Sequence, residues 1–117
     1  MKQVAEKIIE ILDGSTELSA LVGSDFYWGL APAEVEPPFV VFGLDENQEA
    51  SKDRRGDYTI NTQVYSESMD NASDIDQAVR NALILAGAHN RGAQSGYSDP
   101  EATLGLITRN FNLKITL

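Results

Sequence analysis

The chain has no cysteine and a single histidine, His89, among its 117 residues. Without cysteine it can form neither a disulfide nor a thiolate metal site, and the redox compartment in which it folds stays open. A single histidine also excludes any site that needs two imidazoles. Because His89 lies among glycine and asparagine, and no serine has a nucleophile-elbow pattern, we expect a solvated loop histidine and not a catalytic one.

Long apolar runs and positive charge are also scarce. No apolar run approaches the ~18 residues that a membrane span requires, and Glu6, Lys7 and Glu10 interrupt the first hydrophobic stretch where a signal peptide would be continuous. The net charge of −9 disfavours attraction of the whole molecule to nucleic acid or to an anionic membrane. We therefore expect a cytoplasmic protein that binds neither.

Ligand-binding motifs are missing as well. Residues 70–81 resemble a calcium loop superficially, but the sharp-turn glycine is absent and Asn81 stands where a bidentate glutamate is needed. The acids of this segment suit the positive N-terminus of a helix. The glycines are scattered and form no phosphate-binding turn. We expect no catalytic residue, no metal site and no cofactor.

The composition is that of a globular protein, with 42% hydrophobic and 23% charged residues. At 117 residues the chain has the length of one ordinary domain with one core. We find no internal repeat and no low-complexity tract. Residues 1–117 are therefore predicted to form a single domain.

The most readable part of the chain is a strand followed by a long helix in residues 58–86. Tyr58, Ile60 and Val64 alternate with polar residues, which predicts a half-buried strand. Short polar side chains then predict a helix that begins between Ser68 and Ser73. Apolar residues recur along it at three- and four-residue steps until Gly87, the predicted C-cap.

The N-terminal part predicts two consecutive helices that form a hairpin. An apolar stripe at helical spacing predicts the first helix at about Lys2 to Asp13, and Gly14 ends it. Ser15 or Thr16 can cap a second, short helix that stops at Gly23.

Three further strands are predicted. Phe26–Trp28 is a short edge strand followed by a proline-rich connector, and residues 39–44 form a strand covered on both faces. The wholly polar residues 45–56 predict a long exposed loop to the antiparallel strand at Tyr58. Residues 107–117 alternate between apolar and polar side chains, which predicts a strand with one solvent-exposed face. Residues 87–101 predict a loop with a short strand at 93–97.

Together these elements predict an α+β fold. We expect a mainly antiparallel twisted sheet with one long helix and an N-terminal helical hairpin packed on one face. Because the alternating C-terminal strand and the proline-bounded aromatic edge leave apolar area that is hard to cover, we also expect self-association through the sheet margins.

One candidate for partner binding is the basic group of Lys52, Arg54 and Arg55, the only compact one in the sequence. A solvated turn accounts for it, since exposed charges usually contribute little to stability. The alternative is a docking contact, because arginine pairs well with carboxylates. In that case the loop of residues 45–56 is mobile in the free subunit and becomes ordered on docking.

Tyr27, Trp28 and Arg109 are the other candidates. The two aromatic residues serve either core and edge packing or a ligand or partner surface. Arg109 interrupts the apolar face of the last strand. It therefore either extends to water at the sheet margin or pairs with a carboxylate across a subunit contact.

Several short segments carry a family resemblance through their order. They are Ala20-Leu21-Val22-Gly23, Tyr27 with Gly29 and Ala31-Pro32, Pro38-Phe39-Val40-Val41-Phe42, Gln63-Val64-Tyr65-Ser66 before the long helix, and the final alternating strand. This order resembles the tail completion (tail terminator) family of tailed bacteriophages and prophages. Residues 45–56 and 93–104 match no pattern of that family.

The resemblance implies a structural subunit without catalytic residues. Such a subunit assembles into a ring, typically a hexamer, at the head-proximal end of the tail and helps join tail to head. Its partners are further copies of itself, the tail tube protein and head–tail connector proteins, with no sequence-specific nucleic acid. It is found in the host cytoplasm during assembly and then in the virion tail.

A second hypothesis comes from the residues alone. In it the chain is a monomeric domain that binds a small ligand in a pocket lined by Phe26, Tyr27 and Trp28.

Overall fold

The computed structural model describes residues 1–48, 55–97 and 104–116. Within these residues the chain forms three helices and five strands in an α+β arrangement, as predicted. In chain order they are α1 (Lys2–Asp13), α2 (Thr16–Val22), β1 (Phe26–Trp28), β2 (Phe39–Gln48), β3 (Arg55–Ser66), α3 (Met69–Leu85), β4 (His89–Tyr97) and β5 (Gly105–Thr116).

The strands form one sheet in the order β1-β2-β3-β5-β4. β1 runs parallel to β2, and the other neighbours are antiparallel, which confirms a mainly antiparallel sheet. β3 is the central strand, and β1 and β4 lie at the two edges. β5 lies between β3 and β4, so the C-terminal strand is interior, and the prediction that it forms a sheet margin is wrong.

All three helices pack on one face of the sheet. On β3 the predicted alternation holds, since Tyr58, Ile60 and Val64 are buried, together with Thr62. α3 contacts β3, β5 and β4, while α1 and α2 pack beside α3 on the side towards β1. The core consists of the inward side chains of the helices and of this sheet face. The opposite sheet face carries no helix within the described residues.

Local capping explains where the helices begin and end. Ser15 and Ser68 are the N-caps of α2 and α3, and their hydroxyl oxygens accept hydrogen bonds from the N–H groups of Leu18 (3.2 Å) and Asn71 (3.4 Å). After α3 the chain turns at Gly87, whose φ of +102° lies in the region that only glycine adopts easily.

Half of the predicted loop at residues 45–56 is strand, namely residues 45–48 and 55–56. β2 continues to Gln48 and β3 begins at Arg55, so strand pairing includes Asp45 with Thr59 and Glu46 with Tyr58. The pairing satisfies the backbone of a polar segment whose side chains remain in water, and composition alone does not reveal it. The remaining residues, 49–54, lie outside the described residues.

The predicted loop at residues 87–101 is also mostly strand. β4 extends over His89–Tyr97, because β5 offers it a full antiparallel partner from Asn112 to Gly105. A register shift between Asn90 and Gly92 accommodates the irregular sequence. His89 is therefore an exposed strand residue, and its prediction as a loop residue is wrong.

Candidate interaction surfaces

Arg109 forms an ion pair with Asp76 of its own chain. The guanidinium Nε lies 3.0 and 3.2 Å from the two carboxylate oxygens, and Nη2 lies 2.7 Å from Oδ2. A third nitrogen, Nη1, donates to the side-chain oxygen of Asn90 at 3.0 Å. The side chains of Arg109 and Asp76 are only 14% and 8% exposed. The pair therefore joins α3 to β5 and β4 at the border of the core.

This pair corrects both predictions for Arg109. The residue lies on an interior strand instead of the sheet margin, and its carboxylate partner belongs to the same subunit. The hydrogen bonds to Asp76 raise the pKa of Arg109 further above its ordinary value, although burial acts in the opposite direction. Arg109 therefore holds the helix layer on the sheet.

Tyr27 and Trp28 are neighbours in β1, but they point to opposite faces of the sheet, as consecutive strand residues do. Phe26 is buried beneath the helices, and Trp28, on the same face, is 44% exposed at the edge. The Tyr27 hydroxyl donates to the carboxylate of Asp25 at 2.9 Å, and this hydrogen bond, followed by burial, raises the pKa of Tyr27. The three aromatic side chains therefore do not line one pocket, and the ligand-binding hypothesis loses its site.

The predicted basic group cannot be placed as a whole. Arg55 is the first residue of β3, at the end of the sheet where β2 finishes. Lys52 and Arg54 lie outside the described residues. The structure therefore does not gather the six predicted partner-binding residues into one site, because Tyr27, Trp28, Arg55 and Arg109 lie on three different strands.

At one edge of the sheet the outermost strand changes from β1 to β2, because β1 is shorter than β2; we call this the stepped edge. β1 pairs with β2 only from Val40 to Phe42, and the N–H of Gly29 then donates to the carbonyl of Phe42 at 2.9 Å. Beyond that point, residues 43–48 of β2 pair with β3 on one side and with no other described strand. Asp45 and Glu46 are exposed along this unpaired part.

The other edge of the sheet is β4, which pairs with β5 on one side only. Residues 89–96 are all exposed. The strand contains Arg91 but no acidic residue and no proline. An unpaired strand of this kind presents a row of free backbone N–H and C=O groups. Sequence reasoning missed this surface, because a segment rich in Gly, Asn and Ser is typical of a loop.

Large exposed apolar side chains lie beside both edges. Trp28 and Leu30, 44% and 85% exposed, adjoin the stepped edge. Ile84 and Leu85, 42% and 90% exposed, lie at the end of α3, just before β4. A leucine exposed to this degree contributes nothing to the core of its own subunit.

A groove of about 640 Å³ lies between the α1–α2 turn and the C-terminal end of α3. Its lining mixes apolar residues such as Ile11 and Leu85 with the charged residues Lys7, Glu10 and Glu17. The lining contains no histidine or cysteine, so it lacks the usual pairing of a nucleophile with an imidazole base.

The helix-free face of the sheet carries a network of side-chain amides. The Asn47 side-chain amide donates to the Thr59 hydroxyl at 2.7 Å and to the Asn112 oxygen at 3.3 Å. The side-chain nitrogen of Asn61 donates to the Asn110 oxygen at 2.8 Å. These groups largely satisfy one another, so this part of the face is polar, whereas the rings of Phe39 and Tyr65 stack further along the same face.

Two kinds of site receive no support from the described residues. In residues 1–48, 55–97 and 104–116, no three His, Asp or Glu side chains come together where they could hold a metal ion. No helix in this part of the chain is long and apolar enough to cross a membrane.

Fold and surfaces together define a class of protein: a small α+β structural subunit whose distinctive features are unpaired sheet edges flanked by exposed apolar residues. The sequence profile of the family described as tail completion protein gp17 matches residues 6–105, and the chain belongs to this family. The resemblance seen in the sequence is thereby confirmed. Membership gives the chain a structural role in a phage-type tail. Comparison with curated proteins finds no match.

Two solved structures share the fold. One is a chain from the virion of a native gene transfer agent particle, with a TM-score of 0.76 and 19% identity over 94% of this chain and 92% of that chain. The other is the gp17 protein of bacteriophage SPP1, with a TM-score of 0.60 and 18% identity over 99% of this chain and 92% of that chain.

Proposed function

We propose that the chain is a tail completion subunit that assembles into a ring, a hexamer, at the head-proximal end of a tail and helps join head to tail. The observation that carries this function is the family match over residues 6–105. The presence of a chain with the same fold in a gene transfer agent virion supports a place in an assembled particle. The subunit is made in the host cytoplasm and ends in the virion tail.

The partners are further copies of the chain, the tail tube protein and the head–tail connector proteins. Lys52, Arg54 and Arg55 provide the contact with an acidic partner surface, because they concentrate positive charge in a chain of net charge −9. Six copies in a ring present this group six times, so that individually weak contacts add up.

The proposal includes no enzymatic activity. His89 is exposed, and among the described residues it has no side-chain hydrogen bond to a nucleophile or to a carboxylate that would orient it. Replacement of His89 by alanine should therefore leave assembly unchanged. A reaction catalysed by the purified wild-type chain and lost in a folded His89→Ala protein would contradict this part of the proposal, whereas a change in assembly alone would reflect the position of His89 on the edge strand β4.

The test of the joining function is a phage or prophage from which this gene is deleted. Electron microscopy of the lysate should show filled heads and separate tails, and expression of the wild-type chain from a plasmid should restore joined particles. The His89→Ala variant should restore them equally. Normal yields of joined, infectious particles from the deletion strain would overturn the proposal.

The test of the ring uses the purified chain. Mass photometry and negative-stain electron microscopy should show rings at high protein concentration or after addition of tail tubes from the deletion strain. A chain that stays monomeric under both conditions would overturn ring assembly.

A further inference from the structure

We propose that neighbouring subunits of the ring join edge to edge, with β4 of one copy pairing with the unpaired part of β2, residues 43–48, of the next. The inference rests on the proposed ring and specifies the surfaces that build it. The joint would continue the sheet from one subunit into the next.

The backbone of both edges is available for such pairing. Among the described residues, β4 has a partner strand on one side only, and so does β2 beyond Phe42. Proteins that remain monomeric usually protect edge strands with lysine, proline or inward-pointing charge. β4 has no lysine and no proline, and its one charged side chain is Arg91. The register shift between Asn90 and Gly92, where the Gly92 N–H donates to the Asn90 side-chain oxygen, is the one protective feature in this strand, so the edge is open to a partner strand on either side of that shift.

Strand directions suit a joint between copies. β2 and β5 run in one direction, and β3 and β4 run in the other. Rotation about an axis roughly parallel to the strands keeps these directions, so β4 of one copy meets β2 of the next in antiparallel orientation. Antiparallel pairs are the more stable kind and need no intervening connection.

The charges of the two edges are complementary. The unpaired part of β2 carries Asp45 and Glu46 and no cation, whereas β4 carries Arg91 and no acid. Two β2 edges would repel each other, and so would two β4 edges, whereas one of each attracts.

The apolar residues lie where such a joint would cover them. His89, Asn112, Thr59 and Asp45 form one row across the sheet, so His89 and Asp45 lie at the same level on opposite edges. Ile84 stands five residues before His89 in the chain, and Leu30 follows β1 at the stepped edge. Joining the two edges at this level brings the C-terminal end of α3 in one copy, with Ile84, towards the Trp28–Leu30 side of the next, whereas Leu85 lines the groove beside α1 and α2.

Two different surfaces in contact leave each copy with one free surface of each kind, so they form a ring when the rotation between neighbours closes and an open filament when it does not; the proposed ring requires the first case. A joint of β4 with β4 about a two-fold axis would instead end at a dimer. The proposal therefore predicts head-to-tail contacts only.

The first experiment reverses the charge on one edge and then on both. Arg91→Glu should raise the protein concentration needed for rings by about tenfold or more, because it places three acids at the joint. Asp45→Lys with Glu46→Lys should do the same. The triple variant, with both edges reversed, should form rings again. Lys2→Glu, which reverses an exposed cation on α1 and leaves both edge strands unchanged, is the control for net charge and should assemble like the wild type.

The second experiment uses disulfides, because the natural chain has no cysteine and the background is zero. His89→Cys is combined in one chain with Asp45→Cys, or with Gly43→Cys or Asn47→Cys to cover shifts of two residues on the same sheet face. Oxidation of the matching pair should give covalent chains of subunits up to the closed ring. Each single variant should give none, and a mixture of two singles should give only dimers.

The outcomes separate this inference from the ring itself. Rings in the microscope without cross-links from any pair, and without rescue in the triple variant, would overturn the edge-to-edge joint and leave the ring in place. Covalent dimers from His89→Cys alone would also overturn it, because they show a two-fold contact. Monomers under every condition, with tail tubes included, would overturn both the joint and the ring.

Discussion

The ion pair of Arg109 and Asp76 is the strongest polar contact between the helix layer and the sheet in the described residues. Both side chains are nearly withdrawn from water, and the guanidinium binds both carboxylate oxygens. Removal of one partner from such a pair leaves an uncompensated charge in a site of low polarity, which costs roughly 3 to 5 kcal/mol. Replacement of both partners by apolar residues removes that cost.

Asp76→Ala should therefore lower the free energy of unfolding by about 3 kcal/mol. The double variant Asp76→Ala with Arg109→Met should recover most of this loss. Urea unfolding of the two single variants, the double variant and the wild type measures the coupling. Asp74→Ala, which removes an exposed acid two residues away on α3, should change stability little. A double variant less stable than Asp76→Ala would show that Arg109 is stabilised by other contacts.

Each half of this pair was visible in the sequence as an exception to a pattern. Arg109 interrupts the apolar face of β5, and Asp76 lies next to Ile75 on the buried side of α3. Two opposite charges on the apolar faces of two elements that pack together are natural partners. The prediction missed the pairing, because it treated Asp76 only as a helix-capping acid and looked for the partner of Arg109 in another subunit.

The burial of Tyr58 allows a prediction of how the stability of the fold changes at high pH. The side chain is 3% exposed, and burial, followed by the charge of Glu46, raises its pKa above the ordinary value of 10.0. Above about pH 10 the unfolded chain loses the phenolic proton while the folded chain keeps it. Stability contributed by the raised pKa is therefore present below that pH and is lost as pH rises through the folded-state pKa.

Wild-type protein should consequently lose stability more steeply above about pH 10 than Tyr58→Phe, which has no proton to lose at this position. Thermal unfolding followed by circular dichroism between about pH 8 and pH 11 measures the difference. Tyr65→Phe, at a tyrosine on the opposite sheet face, is the comparison and should follow the wild type. Parallel curves for wild type and Tyr58→Phe would contradict the assignment.

At the scale of elements, the N-terminus of α3 is capped by one side chain, that of Ser68. The Ser68 hydroxyl accepts from the N–H of Asn71, which would otherwise be one of the unpaired donors of the first turn. Ser68→Ala should lower the free energy of unfolding by about 1 kcal/mol, measured by urea unfolding. Ser73→Ala, at an exposed position inside the helix, should be neutral or stabilising, because alanine is the better helix former. If Ser68→Ala and Ser73→Ala changed the free energy of unfolding equally, the Ser68 cap would make no specific contribution to the stability of α3.

The elements differ in how far the sequence revealed them. The bounds of α1, the capping of α2 and the start of α3 after Ser68 follow from local signals, and the structure confirms them, whereas the C-cap of α3 is Ala86 and not the predicted Gly87. Most of β4 and the polar ends of β2 and β3 depend on the partner strand and not on their own composition, so the sequence predicted loops there, with only a short strand at 93–97. The same long-range pairing determines which strands are edges: β1 is the edge strand that the sequence predicted, whereas the unpaired part of β2 and the edge position of β4 became visible only in the structure.

At the scale of the whole molecule, the net charge of −9 affects the two proposed kinds of contact in opposite ways. Copies of the same acidic chain repel one another, and this repulsion opposes ring formation. Docking through Lys52, Arg54 and Arg55 is instead an attraction between unlike charges. Salt reduces both effects, since the screening length falls from about 10 Å at 0.1 M to about 3 Å at 1 M.

Raising the salt from about 0.05 M to about 0.5 M should therefore increase the fraction of subunits in rings and weaken the binding of preformed rings to tails. Salt also weakens the attraction of Arg91 for Asp45 and Glu46, which by itself would reduce ring formation. A few exposed pairs contribute only about 0 to 1 kcal/mol each, so the repulsion between whole chains outweighs them.

Mass photometry measures the fraction of subunits in rings, and co-sedimentation with tails from the deletion strain measures docking. Arg54→Ala with Arg55→Ala should reduce docking and its salt dependence while ring formation responds to salt as in the wild type. A double variant that docks normally, or rings and docking that change in the same direction with salt, would contradict this assignment of the basic group.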